Sequence, residues 1–568
     1  MYNPKREINH CFENPMRGGL RQPLVFVVLC TLIQCLSVWN YGGDHVDESE
    51  LVHYGVGFLG GGLDPFWYGY GYVGMCLLGA VYFVVGLVYL SLGRVDSLLE
   101  FASLLFDSDL FMILGRLVFS AVGALTIWLY IQLARRLQVP PLLIVVFALI
   151  SVFAGDSLRY ANYVRCDQLV ALLCPIILLE LTRQSASRRD IWLLPVLVAV
   201  AFNCKMSALS LTALIPMNAL RRSSTNRELL RNLILGILVF VVCMWFLNPF
   251  NNVFVTMLDM ITNMIFESRV SVSKVGHIGF WATTVGIGEV LKSTIGLSLL
   301  LPLLLLPILP KYFGWNGFFI LSMFLLLSGP YYLTSEIAEY WFIPLFSLSR
   351  FSAFLIISIA VGWLSYSRPR RRGAVVVVTA FGLLLTSYKQ IFIGYPRFFK
   401  TSLEVSTNAR LASQWLLPEL RKGRVVLLDK YWNHVMPKIY GNDRQQAKLI
   451  SRAFIYERKR NLFLNKAFDL FMEKRYLPQF SVAPIVRQAV AYDEKDYELE
   501  RERRAGAYFV VSPTIANRYL LADVRALPEQ KRKETQFLKR YYELEMRGDP
   551  IIEFSEGSGA PLRVYEIK

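Results

Sequence analysis

The chain has 568 residues, of which 54% are hydrophobic and only 18% are charged, and its formal net charge is +17. The apolar residues are concentrated before Tyr395 in runs long enough to cross a bilayer, which excludes a soluble fold for that part. The positive charge does not indicate nucleic-acid binding, because much of it lies in short arginine clusters beside apolar segments, where it sets membrane orientation.

The composition changes after Tyr395, where charged and apolar residues alternate without a long apolar run. The sequence therefore predicts two parts, a membrane body over residues 1–395 and a water-soluble domain over residues 396–568. We expect the whole to be a polytopic α-helical membrane protein with a small C-terminal α/β domain.

The arginine clusters decide the predicted orientation. The positive-inside rule places the N-terminus in the cytoplasm together with four clusters, at residues 135–136, 183–189, 221–231 and 368–372. The apolar segment 71–92 cannot then be a single crossing, and we expect it to lie along the membrane or to re-enter it. We count about eleven crossings, one of them over 292–310. An odd number places the C-terminal domain in the periplasm, outside a bacterial inner membrane.

The segment from Ile191 to Leu220 has basic loops at both ends. By the same parity argument it must go out and back, as two short helices that meet near Asn203, Cys204 and Lys205. Lys205 is therefore predicted to reach the outer half of the membrane.

Four carboxylates lie just after the first apolar segment, within residues 44–50. Asp47 and Glu48 are candidate general bases, because a carboxylate at the membrane surface can remove a proton from a hydroxyl acceptor, and like-charged neighbours raise its pKa. The alternative is a solvated loop or a helix cap, with Asp44 or Ser49 as the capping residue.

A stretch rich in glycine and aromatic residues follows from Gly60 to Tyr72. Such a stretch bends easily and suits the lipid headgroup zone. Asp64 and Tyr68 are its candidate substrate-binding residues, in a groove for a lipid substrate. The alternative is an interfacial aromatic belt without a ligand.

Several cationic side chains are predicted near the outer ends of the membrane segments, namely those of Arg116, Arg159, Arg165 and Lys205. Charges in such positions are costly and usually serve pairing, transport or ligand binding. Together with Asp167 they could form a pocket whose cations stabilise the charge on a phosphate leaving group. The alternative is a set of structural ion pairs, such as Arg165 with Asp167, or side chains that reach the lipid headgroups.

Tyr340, in a short outer turn, is a further candidate for substrate contact. The eight cysteines include no CxxC pair and no Cys/His metal spacing, so neither a disulfide framework nor a zinc site is indicated.

The C-terminal domain has strand-like runs at 424–428, 508–511 and 562–567, separated by helix-like charged segments such as 498–504. It has no glycine-rich phosphate loop and no Ser-His-Asp set. We interpret it as an accessory or acceptor-binding unit.

The order of these features resembles glycosyltransferase family 39, whose bacterial members include protein O-mannosyltransferases and the lipid A aminoarabinose transferase. The similarity lies in the Asp47-Glu48 pair, loosely in residues 61–67, and in Arg116, Arg165 with Asp167, and Lys205. The ending over 551–565 looks like the small outer domain of bacterial members. The chain departs from the family at Tyr340-Trp341, where members often have Arg-Tyr.

The resemblance implies a GT-C fold and an inverting sugar transfer from a polyprenyl-phosphate donor. Asp47, assisted by Glu48, would activate an acceptor hydroxyl or amine, and Arg116, Arg165 and Lys205 would hold the departing polyprenyl phosphate. The acceptor would be a lipid, a polysaccharide or a protein on the periplasmic side. No metal ligand is assigned, although the carboxylates could bind a divalent ion.

Two other functions remain open from the sequence. A lipid-linked oligosaccharide polymerase or ligase would use a lipid-diphosphate donor. A membrane transporter or flippase would share the apolar spans and buried charges, but such proteins often have internal repeats, and we find none in the sequence.

Overall fold

The computed structural model describes most of the membrane body and separate pieces of the C-terminal part. The described residues of the body are 21–35, 46–61, 72–107, 110–153, 164–183, 189–247, 280–332, 342–366 and 372–388. Those of the C-terminal part are 411–412, 415–416, 418–419, 422, 426–428, 463, 466–467, 470, 480–482, 505–511, 513–521, 529–555 and 561–567.

The described body consists of α-helices and short 3₁₀ segments. In chain order the helices are α1 (Arg21–Cys35), α2 (Val46–Phe58), α3 (Tyr72–Ser91), α4 (Leu98–Asp107), α5 (Leu110–Arg136), α6 (Pro141–Phe153), α7 (Cys166–Leu181), α8 (Arg189–Cys204), α9 (Leu214–Arg222), α10 (Asn226–Leu247), α11 (Phe280–Ile295), α12 (Leu297–Leu303), α13 (Leu309–Phe313), α14 (Trp315–Ser328), α15 (Ile343–Tyr366) and α16 (Arg372–Thr386). The 3₁₀ segments are Met206–Ala213, Leu306–Ile308 and Gly329–Tyr332.

By length and composition, four stretches of helix among the described residues are long and apolar enough to cross a membrane. They are Tyr72–Ser91, Ile113–Arg136, Asn226–Leu247 and Ile343–Leu364. Four shorter apolar helices accompany them, at Pro141–Phe153, Ile191–Cys204, Trp315–Ser328 and Gly373–Thr386. The predicted helical membrane protein is confirmed. The number of about eleven crossings stays a prediction.

Helix α10 illustrates how these helices meet their surroundings. Its side chains Leu230, Ile234 and Phe246 are exposed, whereas Asn232 and Gly236 are buried against the body. Exposure of so large an apolar face to water would be unfavourable. The pattern is that of a helix with one face toward lipid and its few polar groups turned inward.

The arginines predicted to be cytoplasmic meet at one end of α7. Arg136 donates to the carbonyl of Leu179, and Arg221 donates to the carbonyl of Leu181. Both carbonyls belong to the last turn of α7, where the helix dipole is negative and a cation is stabilising. The basic residues at the ends of α5 and α9 are thus gathered on one side of the body, at the last turn of α7.

The chain reverses direction at Lys205. Helix α8 ends at Cys204, Lys205 is extended (φ −157°, ψ 136°), and a 3₁₀ segment begins after it. Lys205 pairs with Asp167 in the first turn of α7, whereas Arg221 at the end of α9 reaches Leu181 in the last turn of α7. The segment therefore runs to the first turn of α7, reverses at Lys205 and runs back to the last turn of α7, which confirms the predicted hairpin.

Helix α3 has the length and hydropathy of a span, yet its described contacts are those of a helix that crosses the ends of two others. A Cβ built on Gly74 would lie 2.7 Å from Sγ of Cys166, the first residue of α7. Two turns later, the hydroxyl of Tyr82 donates to the carbonyl of Phe111, in the first turn of α5, at 2.9 Å. A helix alongside α5 and α7 would instead meet successive turns of each. The predicted orientation of α3 along the membrane stays a prediction.

Residues 292–310 do not form one helix, so the prediction of a single helical crossing there is wrong. Helix α11 ends at Ile295, Gly296 has a φ of +80°, and α12 runs only to Leu303 before a 3₁₀ segment begins at Leu306. The left-handed glycine stops the first helix, and the prolines at 302, 307 and 310 interrupt the hydrogen bonding of the rest.

The C-terminal part contains a five-stranded sheet in the order β2-β1-β3-β5-β4. Its strands are β1 (Val426–Leu428), β2 (Phe480–Val482), β3 (Tyr508–Val511), β4 (Ile552–Phe554) and β5 (Leu562–Glu566). Strand β1 pairs in parallel with β2 and β3, whereas β5 pairs antiparallel with β3 and β4. Two helices, α17 (Pro513–Leu520) and α18 (Glu529–Glu545), pack on one face of the sheet.

The predicted α/β domain is confirmed, with strands at the three predicted places. Strands β2 and β4 were not predicted, and the predicted helical segment 498–504 lies outside the described residues. On the antiparallel edge, Arg563 of β5 donates to Glu553 of β4 at 2.8 Å, and this hydrogen bond raises the pKa of Arg563. The pair is partly exposed, so its contribution to stability is below about 1 kcal/mol.

Candidate functional site

Three of the predicted site residues form one buried ion cluster. Arg165 Nε donates to Asp167 Oδ2 at 3.1 Å, and Lys205 Nζ donates to Asp167 Oδ1. The side chains of Arg165 and Asp167 are fully buried, and that of Lys205 is 14% exposed. We refer to these three residues as the cation cluster. Two cations share one carboxylate, so one positive charge is in excess among the three side chains.

The local structure explains why these charges meet. Arg165 is the N-cap of α7, with extended backbone, and Asp167 lies in the first turn, where the positive end of the helix dipole favours a carboxylate. Lys205 follows the last residue of α8, where the dipole favours a cation. The carboxylate and the lysine are therefore each placed at the helix end that suits their charge.

The structure contains the alternative foreseen from the sequence, an ion pair between Arg165 and Asp167. Lys205 adds to it a second cation, which a purely structural pair would not need. A carboxylate that already accepts from two cations is poorly suited to bind a metal ion as well. Among the described residues, no group of three His, Cys, Asp or Glu side chains could hold a metal.

Arg116 reaches the same end of the body. It lies in α5 and is only 4% exposed. Its neighbour Gly115 is packed on the residue before Arg165, since a Cβ built on Gly115 would be 3.1 Å from Cγ2 of Val164. The backbone of Arg116 is therefore close to that of the cation cluster, and a cation buried this deeply in a membrane body is costly to keep without a purpose.

Helix α2, whose first turn contains Asp47 and Glu48, packs near the start of α7. Leu51, one turn later, has its Cδ1 3.4 Å from a Cβ built on Gly74, and the same point is 2.7 Å from Cys166 Sγ. Asp47 precedes Leu51 by four residues, about 6 Å along the helix axis. The backbone of the two candidate bases therefore lies one helical turn before a residue that packs near the start of α7, and their proximity to Arg165 and Asp167 stays a prediction.

The remaining predicted residues cannot be placed in this way. Asp47 and Glu48 have a described backbone, but their side chains lie outside the described set. Asp64, Tyr68, Arg159 and Tyr340 lie outside the described residues altogether, and their contact with a substrate stays a prediction.

Sequence reasoning missed Gly74 and Cys166, which bring α2, α3 and α7 together. The only available signal was the small size of a glycine inside an apolar helix, a residue that often permits close helix approach.

Comparison with known proteins gave matches only among solved structures. No protein-family model matches the sequence, and no curated protein matches it. The fold is similar to that of ArnT from Cupriavidus metallidurans in the apo state, at 11% identity and a TM-score of 0.48, with 95% of this chain and 97% of that chain covered. The same protein bound to undecaprenyl phosphate gives 12% identity, a TM-score of 0.45 and the same coverage.

A third similar structure is the archaeal oligosaccharyltransferase AglB from Archaeoglobus fulgidus, in complex with an inhibitory peptide and a dolichol-phosphate. It is 13% identical, with a TM-score of 0.42, and the match covers 87% of this chain and 73% of that chain. ArnT and AglB are both GT-C glycosyltransferases, the class that the sequence motifs resemble. These distant likenesses carry no functional argument, and we take the function from the site and the sequence motifs.

Proposed function

We propose that this protein is a membrane glycosyltransferase that transfers a sugar, with inversion, from a polyprenyl-phosphate donor to an acceptor on the periplasmic side. The observation that supports this most directly is the cation cluster. It gathers two cations and one carboxylate at the end of α7 that lies opposite the arginine-rich end, and helix α2 packs near the same end.

The reaction requires a base on one side of the anomeric carbon and a charge acceptor on the other. Asp47, assisted by Glu48, takes the proton from the acceptor hydroxyl or amine as its oxygen or nitrogen attacks the anomeric carbon. The bond between that carbon and the phosphate oxygen breaks, and its electron pair leaves with the polyprenyl phosphate. The base and the leaving group must therefore be held on opposite faces of the sugar.

Lys205, Arg165 and Arg116 stabilise the charge that develops on the phosphate. The N–H groups of these side chains are held in a mostly buried site before the lipid-linked sugar binds. Little reorganisation is therefore needed as the bond breaks. Asp167 keeps the two cations of the cluster in position. In this proposal Asp64, Tyr68, Arg159 and Tyr340 contact the lipid or the sugar.

The test is transfer of labelled sugar from a panel of polyprenyl-phosphate donors, in membranes that contain wild-type protein or its Asp47→Asn variant at matched expression. Asp96→Asn is the matched control, because Asp96 is an exposed carboxylate further along the same outer segment. We expect Asp47→Asn to lower transfer by about 10²–10⁴-fold, the usual value of a general base, and Asp96→Asn to leave it unchanged.

Two other results would change the assignment of the base or reject the proposed function. Transfer by Asp47→Asn at the wild-type rate keeps the enzyme class and moves the base to Glu48 or Asp44. Absence of transfer by the wild-type protein, across donors and acceptor extracts, would reject the glycosyltransferase and favour a transporter.

A further inference from the structure

The C-terminal part touches the membrane body at the end of α2. Phe463 lies over Gly60, where a Cβ built on the glycine would be 2.2 Å from Phe463 Cγ and 2.4 Å from Phe463 Cβ. Real side chains do not approach so closely, so only glycine fits at position 60 while the ring stays in place. Phe463 and Leu59 are both partly buried against one apolar cluster.

The space for the ring results from the way α2 ends. The N–H of Gly61 donates to the carbonyl of Phe58 at 3.0 Å, and Gly61 has a φ of +74°. A left-handed glycine at this place is a common helix stop. Gly61 therefore turns the chain, whereas Gly60 leaves bare backbone on which Phe463 can pack.

On its other side, Phe463 belongs to an apolar layer that leads into the sheet. Ala467, four residues later, and Leu416 are fully buried in the same cluster, and so is Tyr508 of β3. Trp415 packs on Tyr508 with ring centroids 5.3 Å apart. Continuous packing thus connects the sheet of the C-terminal part to the end of α2.

Helix α2 is also held along its length by α3. A Cβ built on Gly55 would lie 2.7 Å from Cβ of Leu78, and one built on Gly79 would lie 2.6 Å from the ring of Phe58. With its length supported in this way, we expect α2 to move as one rigid element. Asp47 is thirteen residues from Gly60, about 20 Å along the axis.

We propose that Phe463 is a positioning residue, which fixes the far end of α2 and thereby holds Asp47 beside the cation cluster. This role rests on the proposed function, because it assigns the C-terminal domain the task of aligning the base with the leaving phosphate. A tilt of α2 at Gly60 moves its first turn, and misplacement of a catalytic group by about 1 Å can cost 10²-fold in rate.

The contact is tested first, without reference to activity. Gly60→Cys combined with Phe463→Cys should form a disulfide on mild oxidation, because the two Cβ atoms need to separate only slightly to reach the usual spacing of about 3.8 Å. With a protease site inserted after Tyr395, the cross-linked halves stay together on a non-reducing gel. Gly60→Cys with Phe554→Cys is the control pair. A yield no higher than that of the control would overturn the proposal.

The positioning role is tested by kinetics. We expect Phe463→Ala to lower kcat at least about tenfold and to leave KM for the lipid donor unchanged, because the cation cluster is untouched. Leu520→Ala removes a partly buried apolar side chain from α17, in a cluster separate from that of Phe463, and should change kcat less than about twofold.

Equal kcat for Phe463→Ala and Leu520→Ala, with the cross-link formed, would overturn the positioning role although the contact is real. If the wild-type protein transfers no sugar, the proposed function fails instead. The cross-link yield then still decides whether the C-terminal part docks on α2.

Discussion

Asp167→Asn should lower stability more than Lys205→Met, whereas Lys205→Met should be the variant that weakens binding of the lipid phosphate. Asp167 is the carboxylate shared by Arg165 and Lys205, and its side chain is fully buried. Without it, two cations face one amide in a mostly buried site. Without Lys205, the pair of Arg165 and Asp167 remains balanced, and a methionine of similar length fills the space.

The magnitudes follow from these contacts. Loss of one partner from a buried ion pair costs about 3–5 kcal/mol, because the other charge is left uncompensated. We therefore expect Asp167→Asn to lower stability by that amount and Lys205→Met by less than about 1 kcal/mol. For binding of the lipid phosphate the order of the two variants reverses, and Lys205→Met has the larger effect. A hydrogen bond to a charged group contributes about 1.5–3 kcal/mol, so Lys205→Met should weaken phosphate binding roughly 10- to 150-fold.

Stability is read as the fraction of protein that remains monodisperse after heating in detergent, since membrane proteins often unfold irreversibly. Binding is measured with a polyprenyl phosphate and with the matching polyprenol, so that the phosphate contribution is isolated. Lys292→Met is the matched control, because Lys292 is 53% exposed and lies 3.4 Å from Glu289 within α11. It should alter neither quantity.

A double variant completes the test. Asp167→Asn with Lys205→Met removes one charge of each sign and should recover part of the stability lost in Asp167→Asn alone. The reasoning is refuted if Lys205→Met destabilises as much as Asp167→Asn and the polyprenyl phosphate still binds as in the wild type. The cluster would then be a structural clamp only.

Two further predictions concern helix α3. In intact cells, an impermeant thiol reagent should label Arg94→Cys, just after α3, and should label Arg135→Cys only after permeabilisation. Labelling of Arg94→Cys only after permeabilisation would mean that α3 crosses the membrane. Gly74→Ala should cost about 1–3 kcal/mol by overpacking against Cys166, and in the Cys166→Ala background the cost should fall below about 1 kcal/mol. Gly382→Ala, where a Cβ meets no atom within 4 Å, is the control, and an equal cost there would refute the contact.

The hairpin at Lys205 could be predicted because it depends on the ends of the helices rather than on their packing. Basic residues stand on both sides of the segment from Ile191 to Leu220, and the positive-inside rule requires an even number of crossings between them. The same rule predicts that α3 lies along the membrane. Charge at helix ends thus predicted the reversal at Lys205 without any knowledge of which helices touch.

Apolar composition alone does not reveal where a helix is interrupted within an apolar segment. Residues 292–310 are apolar enough for one span, yet the backbone at Gly296 and the prolines after it divide the segment. A hydropathy window averages over such residues, whereas the hydrogen-bonding ladder is interrupted by each of them. The proline spacing was the signal that would have corrected this prediction.

The contacts that build the site were beyond sequence reasoning for a different reason. Gly74 meets Cys166, and Gly60 meets Phe463, across about 90 and 400 residues of chain. Nothing local in the sequence selects one glycine of a stretch as the place of close approach, because only the folded partner makes the missing Cβ necessary.

The composition of the cation cluster also indicates why a carboxylate belongs in a site for an anion. Two buried cations without a counter-ion would each lose their hydration and repel one another, so the folded protein could not keep them together. Asp167 accepts from both cations and fixes them, and Lys205 is the member whose side chain is partly exposed. We expect a phosphate to approach the cluster at Lys205, and a polyprenol without its phosphate to bind more weakly.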